Sequence, residues 1–407
     1  MAAIPAAERQ PPQKREESLL SALPDFIAHA QAHSPIYAKR LQDIEASAIN
    51  SRESLAQLPI TTKDGLISEQ EENPPFGGYA CAKESAARVY MSPGPIAECE
   101  FDEADYWRTA SALRAAGFGA GMLLHNAFSY HFTPAGMMCD QGARALGGRV
   151  FPAGVGNSAQ HAVAMARLRP HCYTGTPDFL LTILQQADDA GLEVSSLRTG
   201  TVSGGYLSPQ LRREYNDRGI NILQWYGSAD IGCIAFESDA TEPMIVAEGL
   251  LVEIVSPISR QPISAGEKGE VLVTNFNRNY PLIRFSLGDL SAVAAGISPC
   301  GRTNMRLQGW LGRCAPSVKI KGMFVHPAQI ERLAAALTNY ALALQLSVTQ
   351  ANGRDQMTLR CVANPAQAAN DALVMRLQTA LENETKLRGK VAFVANIEGD
   401  LIVDERG

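Results

Sequence analysis

The chain has 407 residues, of which 46% are hydrophobic and 19% charged, and its formal net charge is −6. This composition predicts a packed globular protein, and the length predicts two or three structural units. An acidic balance without any lysine- or arginine-rich stretch argues against nucleic acid or an anionic membrane as the main partner.

The N-terminal segment is charged and includes Glu8, Arg9 and Lys14, with no apolar stretch typical of a secretory signal. No apolar run reaches the ~18 residues of a membrane span. We therefore expect a cytoplasmic protein with a frayed N-terminus. Eight scattered cysteines without a C-x-x-C pair predict reduced, mostly buried thiols, and a zinc site assembled from distant segments stays open.

The patterns in the first hundred residues predict two helices, an extended segment and a short strand. Apolar residues at helical spacing predict a helix over 18–46 with a break at Pro35. "LPITTKDGL" predicts an extended segment followed by a helix that Thr61 or Thr62 caps. "AARVYMS" predicts a short strand that ends in a Pro/Gly turn.

From 101 to 295 helical and strand patterns alternate with short loops, which is typical of a largely parallel, doubly wound sheet. Ligands of such sheets bind beyond the carboxyl ends of the strands. The loops after Asn126, Gly175, Gly204 and Tyr226 are therefore the candidates for binding. The predicted helices are 103–116, 134–146, 158–168, 177–190 and 208–218, and the predicted strands are "MLLHNAF", "GRVFPA", "HCYTG", "LRTGTVSGG" and "INILQWYG".

After residue 243 short runs alternate apolar and polar residues, which predicts antiparallel strands. The turn-rich segment 298–317 is predicted to be a connector. Beyond it, strand patterns and two amphipathic helices, "PAQIERLAAAL" and one near 368–386, predict a compact α+β unit.

Several of these segments resemble a known family. "LPITTKDGL", "GRTNMRLQGWLGR" and "VKIKGMFVHPAQIE" resemble the phenylacetate–coenzyme A ligase family of the adenylate-forming superfamily, which includes acyl-CoA synthetases, luciferases and adenylation domains. "HNAFSYHFTPAGM" and "GVGNSAQ" fit the same pattern in place and order. The resemblance extends from about residue 33 to the C-terminus.

The resemblance implies an α/β fold. A large N-terminal domain holds layered, largely parallel sheets with helices and a small barrel-like β part, and a small C-terminal α+β lid domain follows. It places the AMP-binding domain at 1–313 and the lid at 314–407, with a hinge just after a Gly-Arg pair.

Members of this family activate a carboxylic acid with ATP to an acyl-AMP and then exchange AMP for coenzyme A. The resemblance therefore implies ATP or AMP, coenzyme A and Mg²⁺ as cofactors. It also implies an aromatic or related small carboxylic acid as the partner. A homodimer stays open.

By resemblance, the backbone of Ser203, Gly204 and Gly205 lies along adenine, since small residues let a flat base approach the main chain. Tyr226, in "WYGSADIG", stacks on the base. From the pattern alone, an ordinary strand–helix turn and a core aromatic stay open.

The same motif contributes Gly227 and Ser228, the latter next to Ala229 where the family has serine. Asp230 stands where the family has a Mg²⁺-binding glutamate, and a carboxylate suits a hard cation although it is one methylene shorter.

Asp289 of "IRFSLGDL" resembles the aspartate that accepts both ribose hydroxyls in the family. Arg313 is its implied partner near the ribose and phosphate, because a guanidinium offers a fixed fork of donors. Lys321 of the lid is implied to meet the phosphates of coenzyme A. A hairpin-capping aspartate and a solvated arginine are the alternatives.

"NAFSYHFTPAG" resembles the family loop that forms a wall of the acyl pocket. Phe128, Tyr130 and Phe132 would line an apolar slot, although an aromatic stripe is also typical of a core. His131 would contact a substrate carboxylate or simply be a loop histidine.

Three features of the family are missing. In place of a Ser/Thr- and Gly-rich phosphate loop with a lysine, "VYMSPGPIAECE" keeps Ser92 and Gly94, and its prolines remove backbone donors. Ala315 and Pro316 replace the hinge acid, and no lysine follows Lys390 in the tail. Two hypotheses compete with a full AMP-forming ligase. One is a catalytically impaired nucleotide- or acyl-ligand-binding protein, and the other is an ATP-independent acyltransferase that uses a preformed acyl-adenylate or acyl-CoA.

Overall fold

The computed structural model describes residues 4–92, 94–257, 259–314, 318–320, 323–325, 327–351, 354–364 and 370–406. The chain divides into two compact units, Met1–Gly312 and Arg313–Gly407. The roles of the two predicted domains, 1–313 for AMP binding and 314–407 as the lid, stay predictions.

The helices of the first unit follow the predicted pattern closely. Thr62, rather than Thr61, caps the helix after "LPITT", because its hydroxyl accepts a hydrogen bond from the Gly65 amide at 3.1 Å. The helix predicted over 103–116 begins only at Thr109. The helices are α1 (Pro12–His33), α2 (Pro35–Arg40), α3 (Arg52–Leu55), α4 (Lys63–Glu72), α5 (Thr109–Ala115), α6 (Ala135–Ala145), α7 (Ser158–Leu168), α8 (Pro177–Asp189) and α9 (Pro209–Asp217).

The strands of the first unit include three that the sequence did not predict. These are the return strand of the hairpin after "VYM", the strand that follows "WYGSADI", and a short strand inside the segment predicted to be a connector. The strands are β1 (Arg88–Met91), β2 (Ala97–Glu100), β3 (Leu123–Asn126), β4 (Arg149–Pro152), β5 (Cys172–Gly175), β6 (Thr199–Val202), β7 (Asn221–Ser228), β8 (Gly232–Phe236), β9 (Met244–Val246), β10 (Leu251–Val255), β11 (Gly269–Thr274), β12 (Phe285–Ser291), β13 (Val293–Ala294) and β14 (Arg306–Leu307).

The main sheet has nine strands in the order β13-β14-β9-β8-β7-β6-β5-β3-β4. The five strands from β4 to β7 are parallel, and the pairs from β7 to β13 are antiparallel. A separate antiparallel sheet, β10-β11-β12, forms the smaller all-β part, and β1 and β2 form a hairpin. The predicted α/β class is confirmed.

Helices cover both faces of the parallel strands, as the doubly wound prediction requires. Cys172 and Tyr173 are consecutive in β5 and therefore point to opposite faces. Cys172 packs in a buried cluster with Leu113 of α5, whereas Tyr173 packs in another with Leu180 of α8.

The prediction of a frayed N-terminus is wrong from residue 4 onward. Glu8 is 2% exposed, and its carboxylate pairs with Arg302 and with Arg114 at 3.6 Å. The Ser111 hydroxyl also donates to it at 2.8 Å. A charge pattern cannot reveal this, because the basic partners are distant in sequence.

The second unit is the predicted α+β unit with its own core, which includes Ile330, Leu346 and Leu377. Its four-stranded sheet has the order β19-β18-β17-β20, and β15 pairs with β16. The elements are β15 (Val318–Ile320), β16 (Met323–Val325), α10 (Pro327–Ala336), β17 (Ala341–Ala351), β18 (Arg354–Ala363), α11 (Asp371–Thr385), β19 (Lys390–Phe393) and β20 (Ile402–Asp404).

Among the described residues, no helix combines the length and the apolar character that crossing a membrane requires. No described cysteine forms a disulfide. Within the same ranges there is no group of three or more His, Cys, Asp or Glu side chains suited to a metal ion.

Candidate functional site

The predicted binding loops meet at one edge of the main sheet. Strands β3, β5, β6 and β7 are parallel, so their carboxyl ends lie together. The Ala127 amide donates to the Thr174 carbonyl at 2.7 Å, and the Ser203 amide donates to the Gly175 carbonyl at 3.2 Å. These bonds continue the sheet pairing into the loops and fix them side by side.

The turn after β6 consists of Ser203, Gly204 and Gly205. Gly204 has φ +71°, a left-handed conformation that favours glycine. The Gln224 side-chain amide, from the neighbouring strand β7, donates to the Gly205 carbonyl at 2.9 Å. The turn is thus held against β7, and its contact with adenine stays a prediction.

Tyr226 and Asp289 come together although they lie 63 positions apart in sequence. The Tyr226 hydroxyl, near the end of β7, donates to Asp289 Oδ2 at 2.9 Å. Asp289 lies in β12, in a different sheet. The two residues that the resemblance assigned to adenine and ribose therefore form one hydrogen-bonded pair.

A tryptophan that the sequence analysis did not single out completes this group. The indole Nε1–H of Trp310 donates to Asp289 Oδ1 at 3.1 Å, and its side chain is 51% exposed. The signal available in the sequence was a large aromatic in a turn-rich segment, three residues before Arg313.

Gly227 and Ser228 shape the end of β7. The pairing of β7 with β8 shifts register between Tyr226 and Gly227, and a Cβ at Gly227 would collide with the Gly232 carbonyl. The Ser228 hydroxyl accepts a hydrogen bond from the Ile231 amide at 3.2 Å. The tight turn so formed leads directly to Asp230.

Asp230, the predicted metal residue, is buried and ion-paired. Lys63 Nζ lies 3.1 Å from its Oδ2, while its buried Oδ1 has no hydrogen-bond partner among the described residues. Lys63 reaches this point because the segment before α4 pairs with β12, where the Ser286 amide donates to the Thr61 carbonyl at 2.8 Å. Sequence analysis missed Lys63, although it lies in a quoted motif.

Glu98 of β2 is a second buried carboxyl near Asp230. It is 2% exposed, and neither of its oxygens has a hydrogen-bond partner in the described part of the chain. Burial first, and then the negative charge of Asp230, raises the pKa of Glu98 to about 8. The carboxyl is therefore largely protonated at neutral pH.

The hairpin loop between β1 and β2 is the segment that the resemblance assigned to the family's phosphate loop. Its Ser92 amide donates to the Ile96 carbonyl at 2.9 Å, and the Ser92 hydroxyl approaches the same carbonyl at 3.4 Å. Both donors of the retained serine thus face a backbone acceptor within the loop. Pro93 lies outside the described residues.

The aromatic side chains of the loop after β3 differ in burial, and some lie in the core whereas others lie at the surface. Phe128 is buried and packs edge-to-face on Trp225 at a centroid distance of 6.2 Å. The Tyr130 hydroxyl donates to Asp140 Oδ2 at 3.3 Å, and burial raises the pKa of Tyr130. His131 is exposed, and Phe132 is 81% exposed with φ +61°. The four residues share a loop, and their role in an acyl pocket stays a prediction.

The remaining assignments concern the second unit. Arg313 is its first residue, and Lys321, like Ala315 and Pro316, lies outside the described residues. The roles of Arg313 and Lys321 toward nucleotide and coenzyme A therefore stay predictions.

Comparison with known proteins identifies enzymes to which the chain is similar. Residues 125–277 match the family model described as AMP-binding enzyme. The phenylacetate-coenzyme A ligase of Thermus thermophilus is 26% identical over 88% of this chain and 83% of its own. The phenylacetate-coenzyme A ligase of Escherichia coli is 25% identical over 93% of this chain and 88% of its own.

The fold has a solved counterpart. The crystal structure of 2-hydroxyisobutyryl-CoA ligase in complex with 2-HIB-AMP and CoA superposes with a TM-score of 0.76 at 22% identity, over 99% of this chain and 94% of that one. This likeness concerns the fold. The sequence matches show that the chain is similar to phenylacetate-coenzyme A ligases and that residues 125–277 match an AMP-binding enzyme.

Proposed function

We propose that this protein is an AMP-forming acyl-coenzyme A ligase that acts on a small carboxylic acid, aromatic or related. The observation that carries this proposal is the 2.9 Å hydrogen bond between Tyr226 and Asp289 at the carboxyl edge of the sheet. An anchored carboxylate at this edge is suited to accept the two hydroxyls of a ribose.

The adenosine end is assigned to five residues of the first unit. The main chain of Ser203, Gly204 and Gly205 would contact adenine, and the ring of Tyr226 would stack on it. Asp289 would accept the ribose hydroxyls.

The acyl group and the thiol are assigned to the loop after β3 and to two basic residues of the second unit. Phe128, Tyr130, His131 and Phe132 share the loop after β3, which ends at the same edge of the sheet as the nucleotide loops. Arg313 and Lys321 are assigned to phosphate and coenzyme A by family resemblance.

Asp230 fits a divalent cation through its buried Oδ1, which has no partner among the described residues. Bound Mg²⁺ would neutralise phosphate charge. Lys63 already supplies one positive charge on the other oxygen of Asp230, at 3.1 Å. Lys63 thus already neutralises part of the negative charge of Asp230.

Calorimetric titration of AMP tests the nucleotide assignment. Asp289→Ala removes two charge-assisted hydrogen bonds, so AMP should bind about ten- to a hundredfold more weakly. Asp189→Ala, at the exposed far end of α8, is the matched control and should bind AMP like the wild type. Equal AMP affinity of Asp289→Ala and wild type would reject the assigned ribose contact.

A second candidate function is supported by the hairpin loop. Its retained serine donors face the Ile96 carbonyl, and the buried Glu98 follows two residues later. Neither feature favours a diphosphate group. The alternative is a protein that binds nucleotide or acyl ligand without adenylation, or an acyltransferase that takes an already activated acid.

Pyrophosphate release separates the two functions. A panel of aromatic and aliphatic acids is incubated with ATP and Mg²⁺, with and without coenzyme A. Release that depends on the acid supports the ligase. Retained AMP binding without release, together with turnover of acyl-AMP or acyl-CoA in the absence of ATP, supports the acyltransferase.

A further inference from the structure

Trp310 is held beside Asp289 by main-chain pairing. The Leu311 amide donates to the Leu290 carbonyl at 2.8 Å, and the Leu290 amide donates to the Gly312 carbonyl at 2.8 Å. The segment around Trp310 therefore runs alongside the end of β12. Because Leu290 follows Asp289 directly, this pairing fixes the indole relative to the carboxylate.

Packing does not explain a tryptophan at this position. Trp107 and Trp225 are buried at 2% and 5% exposure, whereas Trp310 is 51% exposed. The described contact that uses its polar group is the Nε1–H bond to Asp289 Oδ1 at 3.1 Å. The hydrogen bond, rather than burial of the ring, is the feature that singles out this side chain.

The two oxygens of Asp289 are engaged by donors from different elements. Tyr226 of β7 donates to Oδ2 at 2.9 Å, and Trp310 donates to Oδ1 at 3.1 Å. The terminal torsion of an aspartate is soft, so a lone carboxylate samples many orientations. One donor on each oxygen restricts that rotation.

We propose that Trp310 is a positioning residue, which holds the Asp289 carboxylate in the plane that accepts both ribose hydroxyls. This inference rests on the proposed nucleotide-binding function. It adds that affinity for the ribose diol, and not for the base, depends on the indole N–H. Removing the N–H should weaken AMP binding about three- to tenfold, the size expected for one partly exposed hydrogen bond.

The test compares wild type and Trp310→Phe in calorimetric titrations of AMP and of 2′,3′-dideoxy-AMP. The variant keeps an aromatic ring and loses the donor. We expect the three- to tenfold loss for AMP and an unchanged affinity for the dideoxy nucleotide. In an Asp289→Ala background, which removes the acceptor, Trp310→Phe should have no further effect on AMP.

Three outcomes would overturn the inference. Unchanged or tighter AMP binding by Trp310→Phe would show that the indole does not help the ribose contact. An equal loss for both nucleotides would show a general structural effect. Wild-type protein that binds no AMP would reject the proposed function, and this inference with it, so the two failures are distinguishable.

A measurement on the wild-type sequence keeps the test valid if the variant fails to fold. Protein labelled with 5-fluorotryptophan contains three tryptophans, of which Trp310 is the exposed one. Its ¹⁹F resonance, identified by the largest H₂O/D₂O shift, should move on saturation with AMP and stay in place with the dideoxy nucleotide. No movement with bound AMP would contradict the proposal.

Discussion

The two ends of the candidate site differ in how their polar groups are satisfied. At the end proposed to bind adenosine, donors from Tyr226 and Trp310 converge on one carboxylate, Asp289, at 2.9 and 3.1 Å. At the hairpin end, Ser92 directs its donors to a carbonyl within its own loop, and buried Glu98 has no hydrogen-bond partner among the described residues. One end presents an organised acceptor, whereas at the other end the donors of Ser92 face a carbonyl of their own loop.

This difference has a physical reason. A ribose needs hydrogen-bond acceptors in a fixed orientation, and neighbouring strands can hold an acceptor side chain in that orientation. A triphosphate needs several convergent donors and positive charge. The hairpin loop contains two prolines, which have no backbone N–H, and no lysine, whereas Lys63 of α4 is paired with Asp230.

The largest expected effect concerns Glu98 and pH. Its pKa is raised to about 8 from an ordinary value of 4.5, so the folded state holds the proton more tightly than the unfolded state. The associated stability is present below pH 4.5 and is lost as pH rises toward 8. Glu98→Gln removes this dependence, because the amide does not titrate.

Urea unfolding at several pH values between 5 and 8 measures this effect. Relative to the variant, the wild type should lose on the order of 1 to 3 kcal/mol of unfolding free energy across that range. Glu84→Gln, at an exposed position, should keep the wild-type slope. If the unfolding free energy of Glu98→Gln depends on pH as steeply as that of the wild type, Glu98 is not the group that titrates, and the contrast between the two ends fails.

A smaller effect is expected at Lys63. Lys63→Met leaves the carboxylate of Asp230 buried without its ion-pair partner. We expect a loss of about 1 to 2 kcal/mol, below the value for fully buried pairs because the lysine side chain is 34% exposed.

Thermal unfolding with and without millimolar Mg²⁺ checks this prediction. Mg²⁺ should stabilise Lys63→Met more than wild type, because it can replace the missing charge on Asp230. Lys14→Met, a change at an exposed lysine, provides the control. Equal Mg²⁺ responses in all three proteins would argue against a cation position at Asp230.

The smallest effect is expected for Tyr226→Phe. This change keeps the ring that would stack on adenine and removes the donor to Asp289 Oδ2. AMP affinity should fall about two- to fivefold, within the range of a single hydrogen bond. Tyr340→Phe in the second unit serves as control in the same titrations. A loss above a hundredfold would mean that Tyr226 does more than position the carboxylate.

The sequence by itself determined the local elements and the order of the motifs. Helix α7 occupies the predicted 158–168, and the strands that end at Asn126, Gly175 and Val202 were predicted from short apolar runs. These features depend on periodicity and on turn residues, which act over a few neighbouring positions. The order of the motifs was sufficient to indicate the family.

Only the tertiary structure decided which groups meet. It placed Tyr226 next to Asp289, Lys63 next to Asp230, and Trp310 next to the carboxylate of Asp289. It also buried Glu8 in a segment predicted to fray. These pairs join residues far apart in the chain. Their contacts depend on sheet order and strand register, for which the residues along a single segment carry no local signal.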